Sequence, residues 1–321
     1  MTEQIDADGR LRHLLTLEGL PRAVLERLLD RAEALHPHAH GGIAVRDRLA
    51  GRAVCTLFFE PSTRTRSSFQ LAAARLGADT LNFDASTSST RKGETAADTL
   101  RTLEAMGVRG FVVRHHEAGA VDALAEVAAE GTCLVNAGDG SRAHPTQGLL
   151  DMLTMRQAKG ADFSGLKVLV VGDVKHSRVA RSDLHALRTL GTGEIRVCGP
   201  KTLLPDDAEL AGCTVTGDFD AALEGVDVVM MLRLQRERMV DGLVTSIEDY
   251  HRDYGLTEQR LRQAAGDAIV MHPGPMNRGI EIDAEVADGA QSRILVQVGN
   301  GVAMRMAVLE ELLGQGRLGG R

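Results

Sequence analysis

Apolar positions recur along the chain at two periods. Behind Pro21, Val24, Leu25, Leu28, Leu29, Ala32 and Leu35 share one face of a 3.6-residue repeat, which predicts an amphipathic helix over 20–35. HPHAHGG at 36–42 is expected to break it. From Ala53 onward, short unbroken apolar runs alternate with helical segments. AVCTLFF (53–59), TLNF (80–83), FVVR (111–114) and TCLVN (132–136) read as strands. SSFQLAAARLGA (67–78), AADTLRTLEAMG (96–107), VDALAEVAAE (121–130) and TQGLLDMLTMRQ (146–157) read as helices. AKGADFSG (158–165), small and polar, reads as a linker. A second series follows: strands at LKVLVVGD (166–173), EIRVCG (194–199), VDVVMML (226–232) and AIVMH (268–272), with helices at RVARSDLHALRTLG (178–191) and GVAMRMAVLEELLG (301–314). This alternation predicts an α/β fold of two similar lobes, each a parallel sheet flanked by helices. The active site is expected in the cleft between them, where the strands' C-terminal ends should face.

Composition excludes functions more than it selects one. With 321 residues, 43% of them hydrophobic, the chain can bury full cores and has the length of about two domains. Lys and Arg total 37 against 44 Asp and Glu, a net charge of −7, and there is no Trp, with only 2 Tyr and 7 Phe. A nucleic-acid binder needs a cationic field and stacking faces, and both are missing. No apolar stretch has the length of a membrane span, and the opening MTEQIDADGRLRH is too polar for a secretory signal. Cys55, Cys133, Cys198 and Cys213 form no CxxC pair, which fits a reduced, cytoplasmic protein without zinc or disulfide framework. His36, His38 and His40 have no carboxylate or thiol nearby in sequence and read as a solvated turn rather than a metal site.

The densest chemistry lies in FFEPSTRTRSSF (58–69), where a buried strand runs into a helix through Ser62, Thr63, Arg64, Thr65 and Arg66. A helix N-terminus offers unpaired N–H groups and a positive dipole end. Hydroxyls add donors, and guanidiniums add bidentate forks. Capping alone accounts for one hydroxyl, not for this cluster, so the segment is expected to bind an anion such as a phosphoryl group. VVGDVKHSR (170–178) has the single Gly172 and no GxGxxG, which argues against a dinucleotide cofactor.

PSTRTR after a strand resembles the carbamoyl-phosphate signature of the aspartate and ornithine carbamoyltransferase family. STRKGET (89–95), VVRH (112–115), NAGDGSRAHPTQ (136–147), VGDVKHSR (171–178), LRLQRER (232–238) and MHPGPMNRGIEI (271–282) resemble the aspartate branch, in the family's order, over nearly the whole chain. The resemblance implies transfer of a carbamoyl group from carbamoyl phosphate to the L-aspartate amine, an early step of pyrimidine biosynthesis, with no metal or other cofactor. It implies a carbamoyl-phosphate-binding domain over 1–150, with the helix of about 301–321 packing back on it, and an aspartate-binding domain over 151–300. Ser62, Thr63, Arg64, Thr65, Arg114, His144, Gln147, Pro273 and Gly274 would hold carbamoyl phosphate. In that set Arg114 and His144 reach the carbonyl oxygen, and Gln147 the carbamoyl NH2. Lys92, Arg178, Arg233 and Gln235 would hold aspartate. Arg64, Thr65, Lys92, Arg114 and His144 would be catalytic, and Ser88 and Lys92 would come from a neighbouring subunit. The implied assembly is a homotrimer with shared active sites. The resemblance leaves open whether regulatory or dihydroorotase-like chains join it. Ornithine is disfavoured as acceptor: the chain has HPGP where ornithine enzymes carry a Cys loop, and LRLQ would repel a cationic side chain. Arg278 and Glu281 are expected to pair across their loop.

Overall fold

The computed structural model describes residues 3–41, 45–84, 94–234 and 246–314. The chain divides into two compact units, Met1–Leu153 with Gly299–Arg321, and Thr154–Val298.

In the first unit, β1 (Ala53–Phe58), β2 (Asp79–Asp84), β3 (Gly110–His115) and β4 (Cys133–Asp139) form a parallel sheet in the order β2-β1-β3-β4. The helices α1 (Arg22–Ala39), α2 (Thr63–Leu76), α3 (Ala96–Ala105), α4 (Ala120–Val127) and α5 (Pro145–Lys159) alternate with these strands. Helices on the faces of a parallel sheet bury its strands on both sides, which is why β3 and β4 read as unbroken apolar runs. Leu57, Phe111, Val113, Val121, Leu124 and Leu134 are among the residues of one of its cores.

The second unit repeats the scheme. β5 (Lys167–Val171), β6 (Glu194–Cys198), β7 (Thr214–Thr216), β8 (Val228–Met231) and β9 (Ile269–Met271) form a parallel sheet in the order β7-β6-β5-β8-β9. The helices α6 (Arg178–Leu190), α7 (Phe219–Leu223), α8 (Ile247–Tyr254), α9 (Glu258–Leu261) and α10 (Ala284–Ala287) accompany it, and α11 (Ile294–Leu313) returns the chain to the first unit. No helix of the described residues is long and apolar enough to cross a membrane.

Three local expectations are corrected. The first helix does not break at His36: it runs through Pro37 to Ala39, because Leu35 and Ala39 lie one turn apart on the same buried face. His36 and His38 are therefore helical, and the His40 ring stands against Gly299, where a methyl group would come within 2.9 Å of it. The linker expected from residue 158 starts two residues later, because α5 runs on to Lys159. Finally, α2 begins at Thr63, four residues before its apolar pattern does.

Candidate active site

In each sheet the strand order reverses at one point, and there the connections leave in opposite directions and open a crevice at the strands' C-terminal ends. In the first unit this point lies between β1 and β3, whose last residues pair in register, Phe58 with Arg114. The chain leaves β1 through Phe59–Ser62 into α2. Ser62 is extended (φ −160°, ψ 109°), and its side chain makes no capping bond. The first turn of α2 thus begins without a side-chain cap from Ser62 and carries the exposed Thr63 and Arg64. Thr65 is buried beneath them, and Arg66 is drawn away over the Phe58 ring at 5.1 Å. An anion is the natural complement of such a turn.

Arg114 closes β3 as a buried guanidinium. Its Nη1 donates to Ala137 O at 3.1 Å and its Nη2 to Glu60 Oε1 at 2.6 Å. Leaving that charge unpaired at such depth would be costly, so the Glu60 carboxylate serves as its counterion.

β4, next to β3, delivers His144. Asp139 organises the connection. Its Oδ1 accepts from Asn136 Nδ2 (2.8 Å) and Ala143 N (3.1 Å), and its Oδ2 accepts from Gly119 N (2.8 Å). Burial pushes the Asp139 carboxyl above its ordinary range, and these bonds together with Arg142 oppose that rise. Pro145 then opens α5, as suits a residue without an N–H, and His144 O accepts from Gln147 N at 2.9 Å. The His144 side chain is buried, and Gln147 Nε2 donates to Asp151 Oδ1 at 3.0 Å. The expected phosphate and carbonyl contacts Ser62, Thr63, Arg64, Thr65, Arg114, His144 and Gln147 thus all lie at the C-terminal edge of one sheet.

In the second unit the order reverses between β5 and β8. Arg178 is the first residue of α6, where Ser177 Oγ caps by accepting from Ala180 N at 3.1 Å. Gly172 makes the bend before it with φ +121°, and a methyl group there would meet Tyr250 OH at 3.0 Å. Arg233 follows β8 and is exposed. Pro273 and Gly274 follow β9, next to β8.

A buried carboxylate joins these last two loops. Glu281 Oε1 accepts from His272 Nε2 at 3.2 Å and from Asn277 N at 2.5 Å. His272 Nδ1 accepts from Gly274 N at 2.8 Å, which leaves the ring proton on Nε2 to face the carboxylate. Asn277 Nδ2 donates to Leu234 O at 2.9 Å, so the residue beside Arg233 is tied to the same cluster. This corrects the expected pairing of Arg278 with Glu281. Arg278 instead forks onto Asp288 at 2.7 and 2.8 Å, because Glu281 is fully buried and already engaged while both members of the Arg278–Asp288 pair are exposed.

Ser88, Lys92 and Gln235 lie outside the described residues. Glu60, Asp139, Asp151 and the role of Glu281 are the carboxylates beside the expected site residues that sequence reasoning misses. The signal was present for Asp151, a charge inside the apolar run LLDML, and for Glu60, which heads the EPSTRTR segment.

Comparison with known proteins agrees with this geometry. Residues 12–157 match the family described as aspartate/ornithine carbamoyltransferase, carbamoyl-P binding domain, and residues 164–312 match its Asp/Orn binding domain. The chain is 75% identical over 313 residues to the aspartate carbamoyltransferase catalytic subunit of Xanthomonas campestris pv. campestris, covering 98% of this chain and 99% of that one. It is 74% identical to the corresponding subunit of Stenotrophomonas maltophilia, covering 97% and 99%. Among solved structures, the aspartate transcarbamoylase of Trypanosoma cruzi in complex with carbamoyl phosphate superposes with a TM-score of 0.83 at 33% identity, covering 94% and 96%. The ornithine carbamoyltransferase of Thermus thermophilus gives 0.81 at 29%, covering 94% and 99%. The chain belongs to the aspartate/ornithine carbamoyltransferase family.

Proposed function

We propose that this chain is an aspartate carbamoyltransferase catalytic subunit, which converts carbamoyl phosphate and L-aspartate to N-carbamoyl-L-aspartate and phosphate in the cytoplasm. The observation that carries this reading is the convergence of the α2 N-terminal turn, Arg114 and His144 at adjacent strand ends β1, β3 and β4. The aspartate branch is favoured by Arg178 and Arg233, one on each side of the reversal point of the second sheet: two cations suit the two carboxylates of aspartate and would repel ornithine.

In this reading the phosphate group rests on Ser62–Thr65. Arg114 and His144 share the carbonyl oxygen with Thr65, and Gln147 meets the carbamoyl NH2 together with the carbonyls of Pro273 and Gly274. Arg178, Arg233 and Gln235 orient aspartate so that its neutral amine attacks the carbonyl carbon. The C–N bond forms as the carbonyl π pair moves onto oxygen. Collapse of that tetrahedral species expels phosphate, which carries off the amine proton. Each preorganised donor at the oxyanion is worth about 10²–10³ in rate. Orientation and electrostatics then supply the catalysis without a covalent enzyme intermediate. Ser88 and Lys92 would be donated by a neighbouring subunit of a homotrimer.

The test is phosphate release from carbamoyl phosphate with aspartate or ornithine as the only acceptor, alongside the sedimentation mass. Release with aspartate alone, by a trimer, is expected. Release with ornithine alone, or with neither, overturns the reading.

A further inference from the structure

The Gln147–Asp151 bond raises a question of orientation. An amide side chain presents a donor at one end and an acceptor at the other, and it can flip. An ionised carboxylate only accepts. Gln147 therefore has to turn Nε2 toward Asp151 Oδ1, one helical turn along α5, where the two atoms are 3.0 Å apart. The acceptor Oε1 is thereby left for whatever Gln147 faces.

Asp151 has a position that solubility does not explain. It is 0% exposed in a helix whose neighbours Leu149, Leu150, Met152 and Leu153 are also buried. Its charge acts on Arg305 of α11, itself buried, whose guanidinium lies 5.0 Å over the Phe69 ring of α2. Gly301 makes room for that guanidinium, since a methyl group there would strike Arg305 Nη1. Desolvation lowers Arg305 to about 10, and the Asp151 charge opposes this, so Arg305 remains a cation at neutral pH. A carboxylate buried on such a helix face loses its hydration, and packing stability gives no reason to place one there. Its retention beneath a ligand-facing amide calls for another role.

We propose that Asp151 is a positioning residue that locks the Gln147 amide with its oxygen toward the ligand and so selects a carbamoyl phosphate over phosphates that lack an NH2 group. The proposal rests on the reading of Gln147 as the carbamoyl contact. Asp151 itself touches no substrate. It acts by forbidding the flipped amide, whose NH2 would oppose the NH2 of the ligand.

The test compares two ligands that share the phosphate but not the amide: carbamoyl phosphate, through its KM, and inorganic phosphate, through its inhibition constant. In Asp151→Leu the KM for carbamoyl phosphate should rise about 5- to 30-fold, the worth of one hydrogen bond. Inhibition by inorganic phosphate should stay within about twofold, because the α2 turn is untouched. Adding Gln147→Ala to Asp151→Leu should raise the KM no further, since the two residues act as one unit. If Asp151→Leu fails to fold around the unpaired Arg305, the double variant Asp151→Leu/Arg305→Met removes both charges and serves in its place. Parallel loss for both ligands, or additive effects of the two substitutions, overturns the proposal and leaves the enzyme reading intact. A wild-type chain that binds inorganic phosphate but not carbamoyl phosphate overturns both.

Discussion

His13 provides a sharp test of the packing in the first unit. Residues 13–15 run beside β4: Leu14 N donates to Leu134 O at 2.9 Å, and Asn136 N donates to Leu14 O at 2.8 Å. His13 is 1% exposed, and its Nδ1 accepts from Leu134 N at 3.1 Å. The proton of the neutral ring thus sits on Nε2, and a second proton would have to displace the Leu134 N–H. Burial first, and the Arg12 charge second, lower its pKa from 6.5 to about 4. A histidine depressed in the folded state stays neutral there while the unfolded chain protonates near pH 6.5. Below that point the unfolded state binds more protons, and stability rises with pH. The contribution of His13 is fully present above pH 6.5 and is lost as the pH falls toward 4. At about 1.4 kcal/mol per pH unit, the loss is about 3 kcal/mol. The perturbation is His13→Asn, whose Oδ1 can still accept the Leu134 N–H but does not titrate. Urea unfolding followed by far-ultraviolet circular dichroism should give a wild-type-minus-variant difference that moves by about 3 kcal/mol in favour of the variant between pH 7 and pH 4. Asp139, whose burial acts with the opposite sign, is common to both proteins and cancels in the difference. Curves that run parallel across this range would refute the assignment of His13 as a neutral buried acceptor.

Two further outcomes are expected. Arg233→Leu should raise the KM for aspartate about 10- to 100-fold, the worth of a charge-assisted contact. It should leave the KM for carbamoyl phosphate nearly unchanged, and equal loss for both substrates in steady-state kinetics would remove Arg233 from the aspartate site. Gly172→Ala combines φ +121° with a methyl group 3.0 Å from Tyr250 OH and 3.2 Å from Leu232 O. It should cost about 1–3 kcal/mol in thermal unfolding, and an unchanged melting temperature would show that the bend relaxes freely.

The strands were legible because a parallel sheet writes them as continuous apolar runs. AVCTLFF and FVVR mark β1 and β3 to within a residue at each end. The start of α2 was not legible: its first turn, Thr63–Arg66, is polar and buries only Thr65, so it carries no helical period. The short helices α8, α9 and α10 bury only Tyr250, only Leu261, and Val286 with Ala287, respectively, too few positions to establish a repeat. Of the expected site residues, the hydroxyls and cations of 62–66 stand out in sequence because they cluster, whereas Arg114, His144, Arg178 and Arg233 are marked only by the family resemblance. The supporting carboxylates were not legible. Glu60 reaches Arg114 across 54 residues of chain, and Asp151 meets the charge of Arg305 only through the return of α11. Arg278 and Glu281 show the reverse error: closeness in sequence suggests a pair, whereas burial assigns the glutamate to His272 and the arginine to Asp288.

In the proposed function the site takes three acidic groups and must carry positive charge before any ligand arrives, and the chain would handle that charge in two ways. Cations meant to meet ligand at the surface, Arg64 and Arg233, are exposed, where water screens them and their self-energy is small. The buried Arg114 has an internal carboxylate, Glu60, at 2.6 Å. A ligand oxygen that reaches Arg114 must then share it with Glu60 or displace that carboxylate, so it gains less than at a bare guanidinium, but the fold is spared the cost of burying the guanidinium unpaired.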